Sequence, residues 1–169
     1  MRTEKRESTE EQARSIHEEA RMVLPGIQTL FGFQLIAVFN RRFDEVVSAD
    51  RIVHLSALVL VALAIALIMT PAAYHRVCER DRATPYFAAL ASALVAAAMV
   101  PLLLGITLDI YVVTHLALDA GAVLPSAIVA GAVFIVFFCL WIGFPYLHRM
   151  QPDLHGRRRE SALPPVKFL

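Results

Sequence analysis

Six histidines and fifteen acidic side chains are the residues of this 169-residue chain with the widest chemical range. Four of them are spaced to meet: His54, Asp109, His115 and Asp119. His54 falls in the first turns of one long apolar block and Asp109 at the close of the next. An antiparallel pair of helices therefore brings them into one layer. A carboxylate beside an imidazole favours the protonated ring, so the pair predicts a pH-responsive or weak cation site at the outer, extracytoplasmic rim of a helical bundle. His115 and Asp119 are four apart, share a face if their segment is helical, and then join the same cluster.

A second polar set lies inside an apolar run, "RMVLPGIQTLFGFQLIAVFNRR", which carries Gln28, Thr29 and Gly32. An amide in lipid must find a partner, which predicts that Gln28 turns toward other helices and that Gly32, one turn on, lets a helix approach. Polar packing and a transport pathway are both open for these three residues. Enzyme chemistry has no foothold: there is no H-E-x-x-H, no G-x-S-x-G and no acidic pair within a span. Haem ligation fails on depth, because His54 and His75 are separated by roughly 31 Å along one helix. His75 and His148 read as interfacial histidines beside Arg76 and Arg149. Cys78 and Cys139 have neither redox nor zinc spacing. No catalytic residue, metal or cofactor is expected.

The elements that position these groups are membrane helices. Hydrophobic residues make up 57% of the chain and charged ones only 18%, with a mean hydropathy of +0.58, too apolar for an ordinary soluble domain. The apolar blocks predict spans over 22–39, 52–74, 86–108 and 122–147, against a requirement of about 20 residues. Thr84 followed by Pro85 is an N-cap and first-turn proline for the third helix. Ser48 and Asp50 open the second, with Asp50 near the positive end of the helix dipole. Pro101 removes one backbone hydrogen bond and predicts a kink.

Orientation follows from Lys and Arg. Thirteen of the sixteen lie in the N-terminal segment, the 2–3 loop and the tail, and only Arg41, Arg42 and Arg51 on the other side. This bias predicts both termini in the cytoplasm of a bacterial inner-membrane protein. Tyr74, Tyr86, Trp141 and Tyr146 fall at the inner helix ends and Tyr111 at an outer one, where amphipathic rings prefer to sit. The net charge of +1 leaves no basic face for nucleic acid. The lipid bilayer is the expected surround, with further copies or another membrane protein as partner.

The fold class is all-α: a polytopic membrane protein of four transmembrane helices with a cytoplasmic N-terminal helix. Residues 1–21 form that helix, 22–147 the membrane domain and 148–169 a basic, disordered tail. Ser8 with Glu11 reads as a capping box, and the segment as a solvated extension of the first span. Small residues at every fourth position, Ala88, Ser92 and Ala96 on the third helix and Ala127 and Gly131 on the fourth, predict the close-packing faces.

The runs "VLPGIQTLF" at 23–31 and "TPAAYHR" at 70–76 resemble a family of small four-helix bacterial membrane proteins of unknown function. The likeness spans roughly Glu18 to His148. Thr70 stands where that family leads us to expect Ala, and Gln34 where it leads us to expect an apolar residue. Some relatives carry an automatic sodium:proton antiporter label, which the resemblance would extend to this chain. It carries over no site residues. The sequence reading is thus a non-enzymatic structural, regulatory or partner-binding membrane component, or alternatively an oligomeric ion or proton transport unit.

Overall fold

A computed structural model describes residues 2–40, 43, 46–78, 84–118 and 122–149. The order is α1 (Arg2–Val38), α2 (Ser48–Cys78), α3 (Pro85–Ala117), α4 (Val123–Phe138), a π-helical turn (Cys139–Gly143) and α5 (Phe144–Arg149). Four helical stretches are long and apolar enough to cross a membrane: Glu18–Val38, Ser48–Cys78, Pro85–Ala117 and Val123–His148.

Several boundaries differ from the sequence reading, for identifiable reasons. α1 is continuous from Arg2, so Ser8 lies inside the helix and does not cap it. Pro25 does not break it. The Thr29 hydroxyl donates to the Pro25 carbonyl at 2.8 Å, a local bond that keeps the hydroxyl satisfied. α3 begins as expected, with Thr84 Oγ1 accepting from Phe87 N at 3.2 Å, and runs through Pro101. It continues nine residues beyond the expected end at Leu108, to Ala117. The sequence from Asp109 to Ala117 contains no Gly or Pro to stop it.

The chain divides into two units, 1–135 and 136–169. In the first, α2 and α3 form the principal pair and α1 leans on both. The buried residues of α2 are Asp50, His54, Ala57, Val61, Ala64, Ile68 and Pro71, alternating steps of four and three. That is a heptad seam of the kind that packs knobs into holes. On α3, Ala91, Ala98, Gly105 and Val112 are buried at seven-residue intervals. The helices come closest at Gly105, where a Cβ would lie 2.8 Å from Val61 Cγ2 and 3.2 Å from the Ala57 carbonyl oxygen. Lipid tails are as apolar as these side chains, so close backbone approach and dispersion hold such a pair together. At the Cys78 end of the seam, Phe87 and Ala91 are buried and Tyr74 packs on them, its ring stacked on Phe87 at 6.1 Å.

The predicted small-residue faces are displaced. Ala88 is buried, but Ser92 and Ala96 are exposed, and on α4 the buried pair is Ser126 and Ala130 in place of Ala127 and Gly131. A four-residue ladder drifts around the helix, whereas the seam alternates three and four.

In the second unit, Phe144 N donates to the Cys139 carbonyl, the wider i to i+5 bond of a π-turn. Pro145 accounts for it, since it lacks an N–H and its ring would crowd the carbonyl four residues back. Trp141 meets Phe137 edge-on at 4.7 Å, and His148 meets Phe144 at 4.6 Å.

Candidate functional site

The heptad seam of α2 begins with two titratable residues. Asp50 and His54 occupy the same alternation as Ala57 and Val61, so burial of the seam buries them. α3 supplies the partners from its last turns. His115 Nδ1 lies 3.1 and 3.0 Å from the two carboxylate oxygens of Asp50. His54 Nδ1 lies 3.3 Å from Asp109 Oδ1, close enough for an ion pair but not aligned as a hydrogen bond. Two imidazole–carboxylate pairs therefore cross the α2–α3 seam at one end, each with its histidine and its acid on opposite helices.

α1 adds a third component. Gln34 is only 4% exposed, and its side-chain Nε2 donates to Asp109 Oδ2. Its backbone carbonyl lies 3.1 Å from His54 Nε2. A carbonyl has no hydrogen to give, so Nε2 of His54 is the donor. Gln34 Oε1 is buried and has no hydrogen-bond partner among the described residues. The rings of Phe43 and Tyr111 flank the two histidines, at 5.6 Å from His54 and 5.6 Å from His115.

This arrangement fixes what His54 and Asp109 can do. With Nε2 donating to Gln34, a neutral His54 presents a bare lone pair on Nδ1 to the carboxyl group of Asp109. Attraction across that gap requires one proton, held either on the ring beside a carboxylate or on the acid beside a neutral ring. In a low-dielectric setting both of those forms have zero net charge, whereas losing the proton or gaining a second leaves a buried charge. The geometry suits a single proton shared across the gap.

The sequence-predicted residues divide three ways. His54 and Asp109 are brought together. His115 is not in a loop but in the last turn of α3, where it faces Asp50; Asp119 lies outside the described residues. Asp109 is eight residues before the end of α3, about 12 Å inward at 1.5 Å per residue, and not at the helix terminus. Gln28 and Thr29 are exposed and Gly32 is half-buried with no atom near its Cβ position, so the expectation that Gln28 turns into the bundle is corrected. Ile27 and Gln34, seven apart, are the residues that α1 buries. A face containing them excludes Gln28, which is about 100° around the helix from Ile27. Among the described residues no three His, Cys, Asp or Glu side chains converge as a metal site.

Gln34 and Asp50 are the site residues that sequence reasoning missed as partners. The signal was present for Asp50: extending the four-three alternation back from Val61 and Ala57 reaches His54 and Asp50.

Residues 3–145 match a protein family described as a family of unknown function, DUF6328. No curated protein and no solved structure matches the chain. The match covers most of the sequence, and the chain belongs to that family.

Proposed function

We propose that this member of the family is a non-enzymatic, multi-pass protein of the bacterial inner membrane, with both termini in the cytoplasm, that works by binding another membrane protein or further copies of itself. The observation that carries this reading is Gln28. It stands ten residues from either end of the Glu18–Val38 span and is exposed on the surface of the chain. An amide at mid-depth in hydrocarbon leaves two donors and an acceptor unsatisfied unless another polypeptide meets them. Little of the first span is buried within the chain, which leaves a face for such a partner. The thirteen-to-three distribution of Lys and Arg supports the orientation.

The test is cross-linking in native membranes through Gln28→Cys in a chain whose exposed Cys78 and Cys139 are replaced by Ser. Adduct formation at Gln28→Cys, and not at the buried Ile27→Cys, is expected. Equal labelling of both, or adducts with lipid alone, contradicts it.

The His54–Asp109–Gln34 layer, with His54 and Gln34 buried and Asp109 partly so, favours a second reading, an oligomeric ion or proton transport unit. Ionisable residues within spans mark proton and ion pathways. Purified protein in liposomes separates the two readings: a change of proton or cation flux over empty vesicles supports transport, and unchanged flux supports the partner-binding role.

A further inference from the structure

α1 is the least secured of the three helices that meet at the site. Of its described side chains, only Ile27 and Gln34 are buried. With so few side chains packed, dispersion holds α1 less than it holds the α2–α3 pair, so the polar bonds of Gln34 weigh heavily in holding α1. Both go to the one-proton pair: the side-chain amide donates to Asp109 and the backbone carbonyl faces the donor nitrogen of His54. We propose that His54, Asp109 and Gln34 form a proton-binding clasp that fastens α1 to the α2–α3 pair and releases it when the shared proton is lost.

The linkage has a definite sign. With one proton in the His54–Asp109 gap the layer is neutral and Gln34 bridges both partners. Removing the proton sets the Asp109 carboxylate against the Nδ1 lone pair and leaves a negative charge that the single Gln34 donor does not satisfy; water drawn to that charge competes with Gln34 for it, so α1 loosens on the alkaline side. Among the described residues, the groups that face the pair do not supply a substitute cation within the seam. From α1 comes the uncharged Gln34, and from the turn after it the Phe43 ring. α2 brings Asp50, already engaged by His115, and the half-exposed Arg51. α3 brings His115 and Tyr111. Val123–Phe138 has no titratable side chain. Arg51 is one turn before His54, toward the helix end, so reaching Asp109 would take its charge inward out of water.

The fastening is independent of whether a partner covers Gln28, and its failure is distinguishable from failure of that reading. Spin labels at Ile36→Cys on α1 and Leu116→Cys on α3, both exposed positions, report the α1–α3 separation by dipolar EPR in bilayers. The chain carries Ser at 78 and 139 and is diluted with unlabelled protein so that only intramolecular pairs count. Wild type is expected to show one narrow short distance at mildly acidic pH and to lose it at strongly alkaline pH. Asp109→Asn is expected to keep it at alkaline pH, because an amide accepts from Gln34 and donates to neutral His54 with no proton to lose. Gln34→Leu is expected to lose it throughout. A pH-independent distance in wild type overturns the proposal without any variant, and so does alkaline release in Asp109→Asn like that of wild type.

Discussion

His54 stands 3.3 Å from Asp109 through Nδ1 while its other ring nitrogen is committed to the Gln34 carbonyl at 3.1 Å. That double engagement makes the imidazole a fixed donor on one side and a proton-dependent partner on the other. The first consequence concerns orientation. If this layer faces outward, reporter fusions after Arg80 and after Leu169 should both report cytoplasm and one after Asp119 the opposite side. An outside signal at Leu169 would mean that one of the four helices does not span.

The α2–α3 contact should be intolerant at one glycine. Gly105→Ala places a methyl against Val61 Cγ2 and the Ala57 carbonyl, and thermal unfolding in detergent should show a loss of about 1–3 kcal/mol. Val61→Ala in the same chain should recover only part of it, since the backbone carbonyl cannot move aside. Gly32→Ala, with nothing near its Cβ position, should be close to neutral.

The second pair should behave as a unit. Asp50→Leu or His115→Leu alone removes one member of a buried pair and should cost on the order of 3 kcal/mol. The double substitution should cost less than the sum, with a coupling of about 0.5–3 kcal/mol in a double-mutant cycle. Strict additivity would show that the 3.0 Å contact contributes nothing.

Gln28 should matter for association and not for the fold. Gln28→Leu is expected to weaken self-association or partner binding by about 0.6 kcal/mol, roughly threefold, with unchanged unfolding. Dilution-dependent energy transfer in bilayers measures it for a homo-oligomer. A loss of helical structure on substitution would place Gln28 inside the chain's own packing.

Much of the architecture is legible in the residues because apolar length is a strong signal: four blocks near Met22, Ile52, Tyr86 and Ala122 all correspond to helices. Helix ends were less so. A carboxylate at 109 reads as the end of an apolar run, whereas continuing α3 costs little once Asp109 has Gln34 and His54 as partners. The approach of His115 to Asp50 is legible only once α3 is continued to Ala117. Gln34 was hidden differently. Two amides in the first span, Gln28 and Gln34, compete for the interior, and composition cannot say which faces in. The seven-residue spacing of Gln34 from Ile27 decides it only once the packing face is known.

The most direct measurement is nitrogen-15 NMR of histidine-labelled protein in bilayers, which reads the two ring nitrogens of His54 separately. Nε2 should carry hydrogen at every pH at which the protein is folded, while Nδ1 changes with pH in wild type and remains an acceptor in Asp109→Asn. A neutral His54 protonated on Nδ1 with a bare Nε2, or an identical Nδ1 titration in both proteins, would contradict the shared proton.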